Sequence, residues 1–257
     1  MTYCVGILLD DGIVLASDSR TNAGVDQIAC YTKTHAFTWP GQRHMALLSS
    51  GNLATTQSVI SQLQREAQLN DSHVPSLASL GSMEEAAHHV GRTSLAIQEQ
   101  YTSKAHAEAR FDATFILAGQ IAGQSPQLFL IYPEGNPITP SPYSPFLQIG
   151  ETKYGKPILD RIIVPALSLE NAARCALVSM DSAMRSNLSV GPPLDLLIYR
   201  RDQIDGGIHT RFELNTPYLG ALRKSWNNGL KRLFQRLPEF NWEHSPQVKS
   251  PPPGEGS

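Results

Sequence analysis

The chain opens with two apolar runs, residues 3–9 and 13–16, joined by Asp10-Asp11-Gly12. An Asp-Gly turn between two β-rich runs predicts a hairpin, so a sheet starts almost at the first residue. A terminus built into a strand is pinned, whereas most termini fray. Residues 17–24 are polar. Short β-rich runs at 27–31, 35–39 and 45–49 follow, each bounded by turn residues, and the first fifty residues read as sheet.

After Gly51 the texture changes. Residues 53–69 contain no Pro or Gly, and Val59, Ile60, Leu63 and Ala67 recur at helical spacing. A loop over 70–81 leads to a second helix expected over 83–108. Strands are expected at 113–121 and 127–132, then a Pro-rich loop over 133–145 and a short run at 146–149. Ser168 as N-cap, with Glu170 in the first turn, opens a third helix whose stripe is Leu169, Ala172, Ala176, Met180 and Ala183. Two strands, 194–199 and 207–214, precede a terminal helix over 218–234. Its Tyr218, Trp226, Leu230 and Phe234 are spaced to pack on the core, and its basic residues Arg223, Lys224, Lys231 and Arg232 read as a solvated face. The order predicts an α+β fold, two sheets packed face to face with helices outside, a four-layer αββα sandwich. One domain is expected over 2–237, with a disordered Pro-rich tail over 238–257.

Composition narrows the partners. Hydrophobic residues make up 41% and charged residues 17%, with a net charge of -2, so neither nucleic acid nor an anionic membrane is an expected partner. No run approaches the roughly 18 apolar residues that span a bilayer. The N-terminus lacks a basic region and Asp10 and Asp11 interrupt its apolar segment, so a cytoplasmic protein without a secretory signal is expected. Cys4, Cys30 and Cys175 form no CxxC pair and read as buried reduced thiols. Glu84-Glu85 and His88-His89 read as a solvated helix face. No phosphate loop or metal cluster is legible, and no cofactor or metal is expected.

The terminus itself is a chemical candidate. Removal of Met1 would expose Thr2, whose α-amine (ordinary pKa about 7.7–8.0) can serve its own hydroxyl as base. The hairpin brings its second strand back to Ala16-Ser17-Asp18, placing Asp18 beside Thr2. Lys33 lies in a short polar link. A lysine near the nucleophile would keep the amine neutral by like-charge repulsion, and Asp18 would hold the lysine in place.

These stretches resemble proteasome β-type subunits, and most closely the bacterial proteasome-related family called Anbu. The matching segments are Thr2-Tyr3-Cys4-Val5-Gly6, residues 15–24, Lys33-Thr34-His35, Ser50-Gly51-Asn52-Leu53-Ala54, residues 148–157 and residues 185–191. The resemblance implies an N-terminal-nucleophile hydrolase in which Thr2 attacks peptide bonds. Its amine and Lys33 relay protons, Asp18 orients Lys33, and the Gly51 N–H forms an oxyanion hole. Ser189 matches a supporting serine. Thr21, Tyr31, His35, Ser49 and Leu53 are expected to line the pocket for the residue preceding the cut. An extended peptide would pair with strand edges near Asn22 and Gly51. The resemblance also implies self-assembly into a ring or open helical homo-oligomer of about a dozen subunits.

Two positions depart from the usual pattern: Glu151 stands where a serine follows the glycine, and Ser186 stands where an aspartate is expected. They leave open a catalytically weak assembly module; an amidase for restricted small amides or isopeptides, which a shallow polar pocket around Ser49 and His35 would favour, stays open as well.

Overall fold

The computed structural model of the protein describes residues 2–22, 28–69, 74–103 and 109–240. Among these, one sheet has the order β10-β1-β2-β11-β12 and a second the order β5-β6-β7-β8-β9. The first is built from β1 (Tyr3–Leu9), β2 (Gly12–Asp18), β10 (Phe146–Gly150), β11 (Leu194–Arg200) and β12 (Ile208–Phe212). The second contains β5 (Thr34–Trp39), β6 (Arg43–Gly51), β7 (Ala113–Ile121), β8 (Gln127–Ile131) and β9 (Pro137–Ile138). A small ribbon pairs β3 (Arg20–Asn22) with β4 (Ile28–Cys30).

Strand alternation explains the layers. Tyr3, Val5, Ile7 and Leu9 of β1 point to a core shared with α3 (Lys156–Ile162) and α4 (Leu169–Ser186), while Cys4 faces the other sheet. Ala46 and Leu48 of β6 meet Cys4, Ile13 and Leu15 between the sheets. Met45 and Leu47 turn outward to α1 (Leu53–Leu69) and α2 (Met83–Thr102). Successive side chains point to opposite faces, so a strand covered on both sides is apolar along its length, as β1 is and as β2 is from Gly12 to Ala16. The architecture is the four-layer αββα sandwich, α+β in class.

The predicted Ser168 cap forms, and a second cap that the sequence reading does not foresee opens α2. Ser168 accepts from Asn171 N at 3.3 Å, opening α4. Ser82 accepts from Glu85 N while Glu85 Oε2 accepts from Gly81 N, a reciprocal cap at α2.

Several expectations are corrected. α2 ends at Thr102 rather than 108; residues 104–108 lie outside the described residues. α3 is not foreseen by the sequence pattern, because seven residues carry too few turns to display a stripe. His89 is buried and its Nε2 lies 2.7 Å from Glu66 of α1, so this face joins two helices instead of meeting solvent. Cys30 is exposed, unlike Cys4 and Cys175. The terminal helix, α5 (Pro217–Phe234), buries Leu219, but Tyr218, Leu230 and Phe234 remain exposed. Its Arg223 is no solvated bystander, donating to buried Asp181 of α4. From residue 241 the expected tail lies outside the described residues. No helix among the described residues is long and apolar enough to cross a membrane.

Candidate active site

Four strand ends meet at one edge of the sandwich. Thr2 precedes β1 and Asp18 ends β2, both on the first sheet; Lys33 precedes β5 and Gly51 ends β6, both on the second. Pairing of Cys4 with Ser17 returns the hairpin as the Asp-Gly turn requires.

Lys33 Nζ donates to Asp18 Oδ1 at 2.6 Å and to Arg20 O at 2.7 Å. Both side chains are buried, Lys33 at 5% and Asp18 at 0% exposure. Asp18 Oδ1 also accepts from Tyr3 N at 3.0 Å, and its Oδ2 accepts from Gly191 N at 3.2 Å. Burial pushes the Asp18 carboxyl upward, while the Lys33 ammonium and the two backbone N–H groups draw it back. The charged form of Asp18 thus depends on all three contacts. A buried carboxylate so fully satisfied fixes the lysine head in one place.

The backbone of Thr2 is held by β10: its carbonyl accepts from Glu151 N at 2.6 Å. Gly150, at φ +82°, passes so close that a Cβ there would stand 1.9 Å from Thr2 O. Beneath, Tyr3 Oη shares a proton with Ser179 Oγ at 2.6 Å and accepts from Gln148 Nε2. Burial pushes the Tyr3 phenol up to about 12, so it stays a neutral structural group.

Gly51 closes the site at φ +114°, and a Cβ there would lie 2.3 Å from Asp112 O. Only glycine fits that conformation and that approach.

The departures from the usual pattern join one network. Ser186 is exposed at the end of α4. The next residue, Asn187, takes the polar role instead, its Nδ2 donating to Glu151 Oε2 at 2.9 Å and its Oδ1 accepting from Ser189 N at 2.9 Å. Glu151 therefore braces the segment carrying Ser189 and Gly191, the latter bonded to Asp18. Sequence reasoning misses Asn187 because the motif aligns on Ser186. A Ser-Asn pair at a helix end is the available signal.

A cleft of about 860 Å³ opens between the sheet edges and α1, and Thr2, Lys33 and Gly51 all line it. The expected pocket residues Thr21, Tyr31, His35, Ser49 and Leu53 line it too. Asn22 lies on β3, but its side chain is outside the described residues. Ser189 is not among the residues lining the cleft; its N–H donates to Asn187 Oδ1. Among the described residues, no group of three or more His, Cys, Asp or Glu could hold a metal.

Two β-sheets between helical layers, with Thr2 and a buried Asp–Lys pair at one mouth, define the N-terminal-nucleophile hydrolase class of fold. The chain belongs to the proteasome subunit family, whose model matches residues 2–198. Within it, the similarity is to Anbu, the ancestral β-subunit. The Anbu of Yersinia bercovieri is 44% identical, with 93% of this chain and 99% of that one covered at a TM-score of 0.87. The subunit in the helical assembly of the Anbu complex from Pseudomonas aeruginosa is likewise 44% identical, covering 95% and 100% at a TM-score of 0.90. A proteasome subunit beta from Methanopyrus kandleri is 22% identical over 206 residues, 79% of this chain and 88% of its own.

Proposed function

We propose that this proteasome-family subunit is a threonine-type peptidase. Removal of Met1 frees the Thr2 amine. That amine takes the hydroxyl proton as Thr2 Oγ1 attacks the carbonyl carbon of a peptide bond. The Gly51 N–H receives the developing oxyanion. Collapse breaks the C–N bond, the departing amine takes the proton, and an ester to Thr2 remains. Water activated by the same amine then hydrolyses the ester and restores Thr2.

The observation that carries this reading is the Lys33–Asp18 pair at 2.6 Å, buried beside the cleft that Thr2 lines. A cation held there favours the neutral amine. Asp18, Lys33 and Gly51 act at the centre, and Ser189 supports it. Thr21, Asn22, Tyr31, His35, Ser49 and Leu53 contact the peptide. The domain over 2–237 works in the cytoplasm as a homo-oligomer; for the oligomer alone, the helical assembly of the Pseudomonas relative is support.

Intact mass decides the first step. Loss of Met1 and capture of a peptide epoxyketone, which bonds both Thr2 Oγ1 and the amine, are expected; Thr2→Ala removes capture and turnover. Retained Met1, or turnover by Thr2→Ala, would sink the reading. A weakly catalytic assembly subunit is the second reading, motivated by Ser186 and by the Glu151–Asn187 contact at 2.9 Å. Full oligomers without capture would favour it.

A further inference from the structure

The cleft wall carries a chemistry of its own, whose meaning for substrate choice rests on the hydrolase reading of Thr2. Gln57, Ser61 and Gln64 of α1 all line the cleft, and all three are exposed. Spacings of four and three residues put them on one helix face, a ridge about 10 Å long at 1.5 Å per residue. Ser49 and His35 stand on the sheet side of the same cleft. Burial pushes the His35 imidazole pKa down, leaving a neutral ring with one donor and one acceptor. Leu53, Tyr31 and the edge of buried Ile60 add apolar surface to the lining.

Charge is missing from this wall. Among the described lining residues there is no Asp or Glu, and the cation Lys33 is already bonded to Asp18 and Arg20 O. An acidic or basic substrate side chain would shed water without meeting an opposite charge. An aliphatic one would strip water from the Gln and Ser groups and return no hydrogen bond. A carboxamide offers two donors and an acceptor to partners of both kinds.

We propose that the cleft selects peptides with a neutral polar side chain, glutamine or asparagine foremost, at the residue preceding the scissile bond. Gln57 and Ser61 are the specificity-determining residues.

The test uses the full-length protein and acetylated tripeptide epoxyketones that differ only in that residue: Gln, Ala, Leu, Arg or Glu. Adduct formation is followed by intact mass. The Gln probe should react about tenfold faster than Leu, Arg or Glu, the scale of one net hydrogen bond. Gln57→Leu with Ser61→Leu should lower the Gln-to-Leu rate ratio by a similar factor. Equal rates, a Leu or charged preference, or an unchanged ratio in the double variant overturns the proposal while leaving the hydrolase intact. No adduct with any probe overturns the hydrolase reading and the preference with it.

Discussion

Lys33 and Asp18, 2.6 Å apart and both buried, tie the two sheets together at the mouth of the cleft. Asp18 ends a strand of one sheet and Lys33 leads into a strand of the other. The pair is therefore a structural cross-tie as well as a chemical group.

Removing one partner leaves a buried charge without its counter-ion. Lys33→Met is expected to cost roughly 3–5 kcal/mol of stability, read by urea unfolding, and to abolish epoxyketone capture. Adding Asp18→Asn should recover part of the stability and none of the capture. Strictly additive losses in that double variant would mean the two residues do not act as a pair.

Gly51 lies at φ +114° with Asp112 O where a Cβ would go. Gly51→Ala must shift the backbone, at about 1–3 kcal/mol for a strained conformation. Because the shift moves the proposed oxyanion donor, turnover should fall by about 10²–10³-fold. Wild-type turnover in this variant would remove Gly51 from the mechanism.

Glu151 accepts from Asn187, and Glu151 N holds the Thr2 carbonyl. Asn187→Ala should cost about 1.5–3 kcal/mol, the range for a hydrogen bond to a charged group. Capture by Thr2 should slow by about 10–100-fold as the segment carrying Gly191 loosens. Glu151→Gln keeps an acceptor and should retain most of the capture rate. If both variants label at the wild-type rate, this network supports the fold alone.

His44 sets an acid limit on stability. It is buried, stacked on Tyr199 with centroids 5.1 Å apart, and its Nδ1 meets Thr38 Oγ1 at 2.8 Å. Burial holds its pKa below the ordinary 6.5. The folded state therefore binds fewer protons than the unfolded one, so stability is full above about pH 6.5 and falls as the pH drops toward the folded pKa. Half-buried His35, shifted in the same direction, adds to the slope. Melting temperature measured from pH 7.5 to 5 should decline, and His44→Phe should flatten the decline. An unaltered slope in that variant would exonerate His44.

Local pattern carried most of the architecture. The Asp-Gly hairpin, the Pro-free run of α1 and the Ser168 cap are decided within a few residues, by turn chemistry and periodicity, and each stands where the sequence places it. The hairpin's length also fixes that Asp18 ends beside Thr2; that Lys33 and Gly51 reach the same corner is implied by the resemblance to proteasome β-type subunits, not by any local pattern.

Tertiary structure decided whatever depends on a partner distant in the chain. Asn187 rather than Ser186 meets Glu151, because the end of α4 relative to β10 sets which side chain faces the site. His89 is buried only because α1 supplies Glu66. Tyr218, Leu230 and Phe234 of α5 stay exposed because only its Leu219 and, in part, Leu222 reach the core, a matter of helix placement that a 3.6-residue period cannot express. Spacing along the chain reveals which side chains share a face. Which face meets which neighbour is set by packing of the whole, and on that packing rest the Lys33–Asp18 tie and the polar α1 wall of the cleft that Thr2 lines.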